Sequence, residues 1–146
     1  MKPGQGRIVV GVDGSVASVA ALRWAETEAI ARQAELDAVY AWGEALQPRA
    51  PYADCVGAPD LEQDRAAAAA VLASSVRMAL GPDPAVPLKT EVVEGHPERV
   101  LLDRAQGAEL LVLGSTVQPG LQAEASPIHQ TCLRKAACPV LIVSPS

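Results

Sequence analysis

Short aliphatic runs alternate with segments of helical period along this chain, and that alternation narrows its possible folds more than any other feature. "RIVVGV", from Arg7 to Val12, runs into Gly-Val-Asp-Gly and reads as a buried strand stopping at a tight turn. In "SVASVAALRWAETEAIARQA", Val19, Leu22, Ala25 and Ala29 share one face while Arg23, Glu26 and Arg32 lie off it. A helix therefore follows the first strand, with Ser15 or Ser18 placed to cap its start. "ELDAVYAW" returns to strand character, and "GEALQPRAPYADCVGAPD" holds three prolines and two glycines with no period, as a long surface loop does.

The pattern then repeats. "LEQDRAAAAAVLASSVRMAL" sets Leu61, Ala68, Leu72, Val76 and Leu80 at helical spacing and stops at Gly81-Pro82. "PLKTEVVEG" alternates at its start like a strand at a sheet edge, with Lys89 and Glu91 on the solvated side. His96-Pro97-Glu98 opens the next helix, Val100, Leu101 and Ala105 form its inner face, and Gly107 ends it. "AELLVLG" is a wholly apolar strand, "GSTVQPGLQAEASPIHQ" carries the chain into a last helix, and "CPVLIV" closes as a strand. With short right-handed crossovers this succession gives a single domain over residues 1–146. The expected architecture is α/β: an open, mostly parallel five-stranded sheet of order 3-2-1-4-5, helices on both faces, Rossmann-like. Ligands in such sheets sit beyond the carboxyl ends of the strands where the order reverses, which places "GVDGS" and "LGSTV" beside the crevice.

Composition removes several function classes. Aromatic residues make up 3% and Phe is absent, so the core is built from Val, Leu, Ile and Ala. A net charge of -5 with no arginine-rich patch provides no surface for nucleic acid, and none is expected as a partner. No run approaches the ~18 apolar residues that span a bilayer and no signal-peptide core appears, so no membrane is expected and the cytoplasm is the expected compartment. The three cysteines form no CxxC pair and are odd in number, against a disulfide framework. Cys132 and Cys138 read as small buried hydrophobes, and Cys55 lies in the long polar loop. His96 sits before a helix-opening proline as a capping or surface residue, and His129 falls in the first turn of the last helix, where the dipole favours its neutral form. Neither has partners at metal-ligand spacing, and there is no Walker lysine, nucleophile elbow or GxGxxG loop. No catalytic residue and no metal site are assigned, and no general base for even a slow nucleotide hydrolase is visible.

"IVVGVDGSVASVAALRWA", "VVEGHPERVLL", "AELLVLGS" and "CPVLIV", in this order and spacing, resemble the universal stress protein family over nearly the whole chain. The resemblance implies a cytoplasmic protein made in response to stress, in a family with ATP-binding and non-binding branches. It also implies a homodimer joined through the last strand, here Val140, Leu141, Ile142 and Val143. That apolar edge is itself an aggregation hazard unless a partner chain pairs with it. In the ATP-binding branch the loop after the fourth strand reads Gly, two residues, Gly, nine residues, then Gly and Ser or Thr. Gly114 takes the first position, Val117 falls where the second glycine belongs, and Ser126-Pro127 falls on the terminal pair in a loop one residue short. Proline lacks the N–H that would meet a phosphate, Glu124 brings a negative charge to the same turn, and Ser126 suits a helix cap.

Other positions match the family better. Asp13 takes its acidic position near ribose or a metal ion, although the same carboxylate can equally cap the turn or the first helix. Ala41 takes the position whose backbone meets adenine, and Ser115 and Gly120 still offer donors to a phosphate or to AMP. Two functions are therefore expected as alternatives. One is a stress-associated dimer acting through protein partners, with a degenerate nucleotide site and no firm cofactor. The other is a regulator that binds ATP or AMP through Asp13, Ala41, Gly114, Ser115, Gly120 and Ser126.

Overall fold

In a computed structural model, which describes residues 6–42, 61–115 and 127–144, the chain forms five strands and four helices. They run β1 (Arg7–Gly11), α1 (Val16–Arg32), β2 (Glu35–Trp42), α2 (Leu61–Leu80), β3 (Leu88–Glu94), α3 (Pro97–Ala105), β4 (Leu110–Gly114), α4 (Pro127–Lys135) and β5 (Val140–Val143). All pairings are parallel and the strand order is β3-β2-β1-β4-β5, as the alternation of elements requires. The segment around Cys55 lies outside the described residues.

The strands at the centre have apolar residues on both faces, and each face finds a helix layer. Ile8 and Val10 of β1, Leu36 and Ala38 of β2, and Leu110 and Val112 of β4 pack with Ala21, Leu22, Ala25 and Ala29 of α1 and Leu72 and Val76 of α2. On the other face Val9, Val39, Leu111 and Leu113 meet Val100, Leu101 and Ala105 of α3 and Cys132 of α4. Removing a leucine such as Leu22, Leu36 or Leu111 from water contributes roughly 1.5–3 kcal/mol each. Of the inner faces expected from helical spacing, those of α1 and α3 are buried, as are Ala68, Leu72 and Val76 of α2; Leu80 is partly buried and the Leu61 side chain lies outside those described.

Local signals set the boundaries. α1 begins at Ser15, whose hydroxyl accepts the Ser18 N–H, so of the two serines expected as caps Ser15 is the one that acts. It ends at Gln33, a non-glycine residue at φ 55° whose N–H is donated to the Ala29 and Ile30 carbonyls. After α2, Gly81 takes φ 75° and donates to the Arg77 carbonyl, a left-handed stop that glycine adopts without a Cβ penalty.

One expectation needs correction. Lys89 is exposed as read, but the Glu91 side chain is only 16% exposed and bonded to Arg104 at 3.3 Å. The face read as solvated is the one α3 packs on, with Val93 against its core, and the end of α3 covers Glu91.

Leu72 is 2% exposed between α2 and the sheet. Its replacement in Leu72→Ala is expected to cost about 2–5 kcal/mol by urea denaturation, whereas Met78→Ala, on the same helix but 65% exposed, should stay within about 0.5 kcal/mol.

Candidate functional site

The strand order reverses beside β1: β2 and β3 lie to one side, β4 and β5 to the other. Register puts Gly11 of β1 between Val39 of β2 and Leu113 of β4. Asp13, Ala41 and Ser115 each stand two residues beyond that shared rung. Three of the expected site positions therefore emerge at one height, at the carboxyl ends of three adjacent strands. Ala41, still within β2, continues the face of Val39 on the α3 and α4 side, while Asp13 and Ser115 lie just past the ends of β1 and β4. Gly120 and Ser126 lie outside the described residues, as do Val117 and Glu124; α4 begins at Pro127.

The turn after β1 is a closed hydrogen-bonded unit. Asp13 Oδ1 accepts the Ser15 N–H at 2.9 Å and the Ser15 hydroxyl at 2.5 Å. The same Ser15 hydroxyl oxygen accepts from the Ser18 N–H at 3.1 Å, and the Ser18 hydroxyl donates back to the Ser15 carbonyl at 2.9 Å. Gly14 makes the turn possible at φ 84°, and a Cβ there would also come within 2.8 Å of Val71 on α2. Of the two readings of Asp13, the cap of the turn is the one these bonds satisfy directly.

Gly114, at the end of β4, is set by packing of a different kind. A Cβ at this position would lie 2.4 Å from the backbone carbon of Ala17 and 2.7 Å from the Ser18 nitrogen. The first turn of α1 rests directly on the end of β4, and no side chain fits between them. Just beyond, the Ser115 N–H donates to the Val143 carbonyl at 2.7 Å, which extends the β4–β5 ladder into the start of the loop. This close approach is invisible to sequence reading, because a glycine at a strand end signals a turn as readily as a contact.

Ala41 is half-buried against the α3 side of the core, opposite Val93 of β3. His96 occupies the N-cap position of α3 by its backbone, its carbonyl accepting from the Val100 N–H at 2.9 Å, and its side chain makes no capping bond. The His129 side chain lies outside those described. Cys132 is fully buried and its thiol is pushed up to about 11, first by burial and then by the charge of Glu98, so it stays protonated and unreactive. Burial raises Cys138 as well, with Arg7 opposing. Among the described residues no group of three or more His, Cys, Asp or Glu is placed to hold a metal, and no helix is long and apolar enough to cross a membrane. A groove of 590 Å³ runs between the end of β3 and α3, lined by Val93, Gly95, Arg99 and Asp103 among others, and none of Asp13, Ala41, Gly114 or Ser115 borders it.

Comparison with known proteins agrees with this architecture. The family model of the universal stress protein family matches residues 5–144, and the chain belongs to that family. A universal stress protein of Mycobacterium tuberculosis is 30% identical over 142 residues, covering 93% of this chain and 47% of the relative. The chain thus spans about half the length of the curated relatives it matches. Among solved structures, the universal stress protein UspA from Lactobacillus plantarum is similar with a TM-score of 0.72 at 28% identity, covering 94% of this chain and 97% of that one. A universal stress protein in complex with cAMP shares the fold with a TM-score of 0.61 at 24% identity, covering 97% and 98%.

Two substitutions test the turn and the contact. Ser15→Ala removes the acceptor of the Ser18 N–H and is expected to cost about 1 kcal/mol by denaturant titration. Gly114→Ala forces the end of β4 away from α1 and should cost roughly 1–3 kcal/mol by the same measurement.

Proposed function

We propose that this chain is a stress-response module that acts through protein contacts as a homodimer, and that its adenine-nucleotide site is reduced. The observation that carries this reading is the engagement of Asp13. Its Oδ1 is held by both the backbone N–H and the hydroxyl of Ser15, so one oxygen of the carboxylate at the ribose or metal position is engaged by the turn. Sequence chemistry in the loop supports it: Val117 replaces a glycine, Pro127 lacks a phosphate donor, and Glu124 would repel phosphate. The exposed edge supports the dimer. β5 ends the sheet with Val140, Leu141 and Ile142 only partly buried, and Trp24 of α1, a helix that also packs on β5, is 50% exposed. A second β5 would pair with this edge and cover apolar surface beside it.

A second reading, a regulator holding ATP or AMP, is favoured by one specific observation: Asp13, Ala41 and Ser115 emerge together at the switch point. The cAMP complex of a protein of the same fold supports it. In this reading Asp13 Oδ2, outside the bonds to Ser15, and the donors of Ser115, Gly120 and Ser126 meet the ligand.

Native mass spectrometry of freshly purified protein, followed by calorimetric titration with ATP, AMP and cAMP, separates the two. The first reading expects the bare protein mass and no binding in the micromolar range. Co-purified adenine nucleotide, or an affinity near 1 μM, equivalent to about -8 kcal/mol, establishes the second instead. Light scattering is expected to give twice the chain mass, and a monomer at working concentration removes the β5 dimer.

A further inference from the structure

At the opposite, amino end of the sheet, on the α3 face, charged side chains from four elements meet in a space with little water. Asp37 of β2 is 1% exposed, and among the described residues neither of its oxygens has a hydrogen-bond partner. Glu91 of β3 uses Oε1 for Arg104 of α3 at 3.3 Å and for Lys89 at 3.7 Å, while its buried Oε2 is without a partner. Arg7 of β1 donates to the carbonyls of Arg104 and Gln106, at 2.7 and 3.0 Å, and so pins the carboxyl end of α3 to the sheet. Glu35, two residues before Asp37 on the same face, is exposed, and the charge of Arg7 also acts on the Cys138 thiol.

Arg7 and Arg104 spend terminal nitrogens on carbonyls at the end of α3 and on Glu91, their buried Nε groups have no partner among the described residues, and no cation makes a hydrogen bond to Asp37. A buried carboxylate without a donor is costly, and a second carboxylate beside it adds repulsion. A protonated carboxyl removes both penalties, because its O–H can be donated to the neighbouring carboxylate oxygen. One proton on Asp37 therefore joins one of its two orphaned oxygens to the orphaned oxygen of Glu91.

We propose that Asp37 and Glu91 form a shared-proton latch joining β2, β3 and the end of α3, so that the fold tightens as the medium turns from alkaline to acidic. Burial first, then the Glu91 neighbour, carry the Asp37 carboxyl from its ordinary 3.8 to about 7, with Lys89 and Arg7 opposing. Between these values the folded chain holds a proton that the unfolded chain has released. Stability from this group is therefore complete below 3.8 and is lost as pH rises towards 7. Lys89, exposed at the edge strand, leaves the cluster a solvent route for proton exchange.

The test is urea unfolding of the full chain at pH 6 and pH 8, for the natural sequence and for Asp37→Asn, a neutral isostere that keeps a donor towards Glu91. The natural chain is expected to show an unfolding constant about tenfold larger at pH 8 than at pH 6 from this group, and Asp37→Asn to lose that difference. An identical pH dependence in the two proteins overturns the latch. Carbon-13 NMR of the Asp37 carboxyl in the natural chain is decisive even if the variant does not fold. A midpoint near 7 supports the proposal, and one near the ordinary 3.8 overturns it.

Discussion

The central strand has no face it can show to water. Ile8 and Val10 on one side and Val9 on the other are fully buried, so β1 is stable only with helices on both faces and a strand along each edge. Parallel neighbours then require right-handed crossovers. To flank β1 on both sides, the chain must proceed outward through β2 and β3 and return across the sheet to β4. The crevice where that return separates the loops is a by-product of burying β1, and the candidate site lies there because the core is built this way.

The two ends of the same sheet treat polar groups differently. At the carboxyl end, Asp13, Ser15 and Ser18 satisfy one another over six residues of chain, from exposed Asp13 to buried Ser18, through bonds that all lie within one turn. At the amino end, the charged groups come from four separate elements, and Asp37 at their centre is buried, so its bonds depend on how those elements pack. The first arrangement makes a turn robust. The second ties the end of α3 to the protonation of one carboxyl, while the rest of the helix is held by apolar packing.

Much of the fold was legible in the sequence because period and punctuation carry it. Runs such as "RIVVG" and "LLVLG", the proline that opens α3 and the glycine after α2 mark elements and their ends without reference to anything distant. The height shared by Asp13, Ala41 and Ser115 follows from the strand order alone. What was not legible depends on tertiary approach. Alternation assigns Glu91 to a face but cannot say that Arg104 will come over it, and the match of Asp13 to a ligand position cannot say that Ser15 takes its oxygen. Asp37 did leave a signal, an acid between apolar neighbours on the inner face of "ELDAVYAW", although its orphaned oxygens appear only once α3 is in place.

The contact of Gly114 with the first turn of α1 bears on how this loop can be interpreted in any chain of the same build. Selection for a phosphate cradle and selection for helix–strand packing ask for the same residue at this position. A chain could lose its nucleotide altogether and still be unable to discard that glycine without displacing α1. The first glycine of the loop is therefore a record of the fold's geometry. Evidence about ligand has to be sought in the positions after it, where the backbone is under no such obligation to a neighbouring helix.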